Sequence, residues 1–286
     1  MSFELVFLDA VDPSLGRLDY ASLSQQALME MVIEEIADKE EICGDADEPN
    51  DIEEWEGVTV KNGEVVEVYW ERFELQGSLH LEWLPSSVKM FGVRVNNLTG
   101  TLDLASLPTY MERLDLGFNA FTRLIGLERL PLGMKYLNVS FSHLSGSLKL
   151  DSLPDTLTDL IAHKNNFSGS IDLTQLPAAM LNLVLAHNRL SGSVVLTQLP
   201  SSIKSFLLSN NQFNGGLDLT RLPSSMCRVS LCCNSFSGTV DLSQLPQGLT
   251  QLNLSVNELS GEVFISDVLF DIVNVQHTKL IKRHMK

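Results

Sequence analysis

The chain has 286 residues, of which 44% are hydrophobic and 20% charged, the balance of a soluble globular protein with enough apolar material for a sizeable core. Its formal charge of −16 is lopsided, because residues 1–60 hold 17 acids against two bases, leaving 19 acids and 18 bases in the remainder. That balance excludes the basic footprint that counterion release on nucleic acid requires, and no run approaches the roughly 18 to 20 apolar residues of a membrane-spanning helix.

Residues 1–20 read as a separate N-terminal segment. Glu4 and Asp9 bracket an apolar run too short for a secretory h-region, and no basic stretch precedes it, so no signal peptide is expected. Three of the four cysteines, Cys227, Cys232 and Cys233, crowd one unit, while Cys43 lies far away. This is not a disulfide framework, and reduced thiols point to the cytoplasm.

Residues 21–84 are expected to form an N-terminal cap. Ala27, Leu28, Met31, Val32, Ile33 and Ile36 fall at helical spacing and predict a helix over Ser22–Ala37. The stretch Glu34–Glu56 carries 12 acids and one lysine. It reads as a solvated loop or a docking segment for a basic partner, and it lacks the spacing of a calcium loop because Pro49 follows Asp45 and Asp47 and no central glycine is present. A first strand is expected over Val66–Trp70.

From residue 85 to 268 the sequence repeats eight times. Leu-Pro recurs every 23 residues, at Pro85, Pro108, Pro131, Pro154, Pro177, Pro200, Pro223 and Pro246. Counting from each proline, apolar residues return at +3, +6 and +8, asparagine at +11 in all units but the one holding Ser142, and glycine at +15 in all but the one holding Arg123. The alternation around +6 and +8 predicts one short strand per unit, with +5, +7 and +9 facing outward. A single unit cannot bury its apolar side, so units must stack into a parallel sheet. The asparagine amide is expected to satisfy backbone groups of the turn and of neighbouring coils. Glycine suits a turn with positive φ, and +17 to +19 supplies an extended segment on the opposite, convex side that proline ends. Residues 269–286 then form a closing cap strand, with Ile272, Val275 and His277 keeping the +3, +6 and +8 phase, and a basic tail of Lys279, Lys282, Arg283 and Lys286.

The run Met180-Leu181-Asn182-Leu183-Val184-Leu185-Ala186-His187-Asn188-Arg189-Leu190 resembles the signature of leucine-rich repeats. The Asn-x-Leu-x-Gly turn and the recurrent Leu-Ser-Gly-x-Leu-Asp-Leu-x-x-Leu-Pro are similar to plant-type repeats and to leucine-rich-repeat proteins of protists such as kinetoplastids. The resemblance covers roughly residues 20–280 and implies a leucine-rich-repeat solenoid, mostly β, with a parallel concave sheet, extended convex segments and a helical N-terminal cap. Trp55-Glu56-Gly57-Val58-Thr59-Val60 resembles the plant-type cap motif Trp-x-Gly-Val-Thr-Cys, but Glu53 and Val60 stand where that motif has cysteines. This departure speaks against a disulfide-stapled, extracellular form.

In such a fold specificity belongs to the outward positions of the concave face. Ile161, Val184 and Leu207 at +7 should lie side by side, with Phe118 and Phe141 at +10 as a second apolar pair. Around them stand Tyr69, Arg94, Arg113, Tyr136, His163, Lys164, His187 and Arg228. An apolar patch rimmed by polar groups marks an interaction site, and aromatic residues and arginine are common anchors. Nine strands span roughly 38 Å of arc, ample for a protein interface. His163 and His187 on adjacent coils could also form a pH-sensitive pair.

Catalysis fares badly, because the cysteine cluster stands about 14 Å from His163 and 10 Å from His187 at the spacing of stacked strands, too far for a base and nucleophile or a shared zinc. No metal or other cofactor is expected. The leading expectation is a monomeric, non-enzymatic module binding a protein or peptide. The alternatives are a constitutive subunit of a larger assembly and an extracellular receptor-like domain, for which the sequons at Asn97, Asn138, Asn166 and Asn253 would count.

Overall fold

The computed structural model describes residues 23–285. The expected N-terminal segment 1–20, Ser22 and Lys286 lie outside them.

Each unit contributes a three-residue strand to a sheet of eleven strands, parallel throughout except at its amino-terminal edge. The register is strict, pairing Leu114 with Leu137, Leu160, Leu183, Phe206, Val229 and Leu252 in turn, each fully buried. A slip of one residue would put every one of these side chains on the solvent face, so the buried column locks the stacking. The resulting core is one continuous cluster from Met29 to Leu280.

The asparagines complete the coil. Asn119 donates from Nδ2 to the carbonyls of Val93 at 3.0 Å and Leu116 at 3.1 Å, and its Oδ1 accepts from Leu98 N–H at 3.1 Å. One amide thereby ties two coils, and Asn188, Asn211, Asn234 and Asn257 repeat the pattern. Ser142 is too short for this and donates only to the Asn119 carbonyl.

The residue at +10, before each asparagine and before Ser142, adopts the left-handed conformation, with φ of 62° at Val95, 58° at Phe118, 53° at Phe141, 55° at Lys164 and 55° at Cys233. None of these is a glycine, and such a conformation costs an L-residue about 1–2 kcal/mol. The backbone supplies the offset: Phe141 N–H donates to His163 O at 2.9 Å, and the Phe141 carbonyl accepts from Asn119 N–H at 3.1 Å.

A second, eight-stranded parallel sheet is built from +12 to +15, directly after the asparagine turn. Glycine at +15 has φ between 81° and 90° from Gly100 to Gly238, and Arg123 holds the same conformation at 69°. The +17 to +19 stretch forms a strand only in the last repeat, where Glu258–Ile265 runs on through it. Its +18 residues Asp103 and Lys149 are extended, and a single 3-10 turn follows at Leu104–Ser106 and Leu150–Ser152.

The amino-terminal helix is shorter than expected, Gln25–Val32, with the Ser24 hydroxyl capping Ala27 N–H at 3.1 Å. The helix ends there, and Ile36 instead forms a bridge to Gly77. The acidic stretch is a folded part of the cap: Ile42, Cys43, Ile52 and Trp55 are buried beneath a short helix, Glu40–Cys43, and a 3-10 turn, Ile52–Glu54. Val58–Lys61 then pairs antiparallel with the first in-phase strand, Glu64–Tyr69.

At the other end Val273 pairs with Leu252, so the last unit is two residues short and Val273, rather than Val275, takes the +6 place. His277 accordingly falls at the left-handed position, with φ of 55°. The basic tail is a strand, Lys279–His284, parallel to Glu258–Ile265. Two of its cations are engaged locally: Lys282 donates to the Phe270 and Val273 carbonyls, and Arg283 meets Glu262 at 2.9 Å.

Candidate functional site

The parallel register brings Ile161, Val184 and Leu207 side by side on the sheet face, each half-buried and outside the core cluster. Towards the amino terminus the same column changes character. Asp115 and Asn138, expected to face outward like the rest, are only 3% and 4% exposed, because larger neighbours cover them.

Those neighbours form a continuous run. The Arg94 guanidinium lies 4.8 Å from the Phe118 ring centre, and Phe118 stacks on Phe141 at 3.8 Å with 15° between planes. His163 meets Phe141 edge-on at 5.1 Å, and Lys164 Nζ lies over it at 4.2 Å. Left-handed backbone at +10 makes this possible, since it turns that side chain back to the face on which +9 already lies. Cation–π contacts at such sites contribute about 0.5–1 kcal/mol each.

Beneath the run lies a polar floor. Asp115 accepts from Asn138 Nδ2 at 2.9 Å, Gly117 N–H at 3.3 Å, the Tyr136 hydroxyl at 3.3 Å and Arg113 at 3.5 Å. The Arg113 guanidinium stacks 3.6 Å above the Tyr136 ring. Burial pushes the Asp115 carboxyl above the usual aspartate range, against the opposing pull of the Gly117 hydrogen bond and Arg113, and burial likewise pushes the Tyr136 hydroxyl up. Burial, followed by the Lys164 and His187 charges, holds His163 below the ordinary histidine value. Its Nδ1 is buried without a hydrogen-bond partner.

These side chains surround a cleft of about 410 Å³. Arg94, Arg113, Phe118, Tyr136, Ile161 and His163 line it, with Phe141 and Lys164 packed against its edge. Val184 and Leu207 continue the aliphatic row beyond it. His187 is exposed and within 3.3 Å of Asn210. Tyr69 stands apart, its hydroxyl on Met90 Sδ at 2.9 Å, and Arg228 is exposed on a later coil. Sequence reasoning missed Asp115, Asn138 and Ser140 as parts of the cleft. The available signal was the break in the +7 column, where an acid and an amide on successive coils interrupt the row between Gly92 and Ile161.

Among the described residues no group of three or more histidine, cysteine, aspartate or glutamate side chains is placed to hold a metal ion. No helix among them is long and apolar enough to cross a membrane.

No protein-family model matches the sequence. No curated protein matches it either. Solved structures do match. A plant ice-binding protein is 18% identical, with a TM-score of 0.66 over 90% of this chain and 95% of that one. The PEPR1–AtPEP1 structure is 20% identical, with a TM-score of 0.60 over 91% of this chain and 45% of that one. The functional domain of InlJ from Listeria monocytogenes is 19% identical, with a TM-score of 0.55 over 77% of this chain and 53% of that one. The chain thus spans about half the length of the last two. Identities this low speak to the backbone, and backbone, coil length and asparagine ladder agree: the chain is a leucine-rich-repeat solenoid.

Proposed function

We propose that the chain is a non-enzymatic recognition module that holds a protein or peptide on the concave face of its solenoid, centred on the cleft between Arg94 and His163. The observation that carries this reading is the run of ring and cation contacts over a buried polar floor, ending beside the aliphatic row Ile161, Val184 and Leu207. Rigid aromatic and arginine side chains around a partly apolar depression are the usual anchors of an interface. PEPR1, which shares the fold, was solved together with AtPEP1. A plant ice-binding protein shares it too, so the fold alone does not choose the ligand.

The test is a selection of peptides from a random library on the purified protein. Peptides retained by the wild type should be lost by Phe118→Glu and by the double variant Val184→Glu, Leu207→Glu, while Ser191→Glu on the second sheet keeps them. Retention by all variants would overturn the site. Cytoplasmic residence belongs to the same proposal, and glycan found on Asn97 or Asn166 would reject it.

A second reading, a constitutive subunit of a larger assembly, draws on the exposed Phe264, Val268, Ile281 and Met285 at the carboxy-terminal end. Size-exclusion of native lysate separates the two, since only this reading requires a permanently large complex.

A further inference from the structure

Away from the cleft, a single coil carries two adjacent soft donors, Cys232 at +9 and Cys233 at +10. On an ordinary strand neighbouring side chains point to opposite faces. Here the left-handed backbone at Cys233, φ of 55°, turns the second side chain to the face that carries the first, as it does for the equivalent His163 and Lys164, which both meet the Phe141 ring. Both residues are only half-buried, so both sulfurs are within reach of solutes. Ser230 Oγ lies 3.6 Å from Cys232 Sγ.

The dipeptide is held from both sides. Cys233 N–H donates to the Ser255 carbonyl at 3.0 Å, and the Cys232 carbonyl accepts from Asn210 N–H at 3.0 Å. The flanking coils place Ser209-Asn210 and Ser255-Val256 at the same positions, so no charged side chain competes for the sulfurs there. Among the described residues no third histidine, cysteine, aspartate or glutamate gathers with the pair, and the arrangement suits a centre satisfied by two sulfurs.

We propose that Cys232 and Cys233 form a vicinal dithiol site that chelates a thiophilic centre of the trivalent arsenical class. The reaction needs no oxidant: an arsenoxide R–As=O condenses with two thiols to R–As(SR)₂ and one water. Two S–H bonds and the arsenic–oxygen bond break, two arsenic–sulfur bonds form, both protons leave on the oxide, and arsenic keeps its oxidation state. The other thiols are poorly placed to join in. Cys43 is buried, and Cys227, whose thiol donates to the Ser225 carbonyl at 3.4 Å, precedes Cys232 by five residues, roughly 16 Å of extended chain.

The probe is phenylarsine oxide, titrated into the full chain with free thiols counted after denaturation. The wild type should take up one equivalent and lose two of its four thiols, with reversal by a small dithiol and not by the same concentration of a monothiol. Cys232→Ser and Cys233→Ser should each weaken uptake about 10²-fold or more, since the second bond is intramolecular. Cys227→Ser should leave it unchanged, and circular dichroism checks that each variant remains folded. No uptake by the wild type, or uptake that survives Cys233→Ser in the folded variant, would overturn the proposal.

Discussion

Phe118 and Phe141 stack at 3.8 Å although both sit in a left-handed conformation that aromatic residues seldom adopt. Each coil imposes that conformation through hydrogen bonds on either side of the residue, and stacking of the coils then aligns the rings.

The usual order of small residues should therefore invert at this position. Phe141→Ala loses the ring contact, about 0.5–1.5 kcal/mol beyond area burial, and keeps the strained backbone. Phe141→Gly loses the same contact but relieves the strain, so it should be more stable than the alanine variant by about 1 kcal/mol. Urea unfolding of the pair decides it, and an alanine variant as stable as the glycine one would contradict the strain.

Arg123 offers the converse case. It is exposed and holds φ of 69°, where the other seven repeats place glycine. Relief of about 1–2 kcal/mol of strain against roughly 0.5–1 kcal/mol of added chain entropy predicts that Arg123→Gly stabilises the protein by about 0.5–1 kcal/mol. A thermal melt that fails to rise would refute this.

Asn188→Ala should be costly. It removes one of two amide donors from each of the Ala162 and Leu185 carbonyls, which keep Asn165 and Asn211, and leaves the Phe167 N–H without the Asn188 oxygen. At about 1–3 kcal/mol for the unsatisfied N–H and about 0.5–1.5 kcal/mol for each of the two lost bonds, a loss of about 3 kcal/mol is expected. Ser142→Ala, which removes one bond of 3.3 Å, should cost under about 1 kcal/mol. Equal losses in denaturant melts would mean that the ladder is not what joins the coils.

The pH dependence of His163 has a definite sign. Its folded value is held below the ordinary 6.5, so the unfolded chain takes up the proton first and stability falls as pH drops from about that value towards the folded one. His163→Leu should flatten this part of the profile while leaving stability above neutral pH little changed. An identical slope in the variant would show that another group titrates there.

Much of the fold was legible because the 23-residue phase is a property of the chain: a column of leucines that must be buried permits only stacked coils. The C-terminal unit shows where this reading gives out. Without Leu-Pro, asparagine or glycine as markers, its two-residue deletion became visible only when Val273 was found opposite Leu252. The acidic stretch misled for a related reason, since Ile42, Ile52 and Trp55 are too few to make a pattern and yet are enough to anchor a cap. In the cleft, the arginines and rings stood out by residue type, whereas Asp115 and Asn138 resembled ordinary polar surface until their neighbours closed over them.

The sequence by itself determined the period, the buried columns and the asparagine ladder, because each follows from which side chains leave water and which backbone groups need partners. Only the tertiary structure decided that +10 is left-handed. That one backbone angle is set by hydrogen bonds from the coils before and after. It brings side chains at +9 and +10 onto one face, which is why His163 reaches Phe141 and why Cys232 and Cys233 share a face.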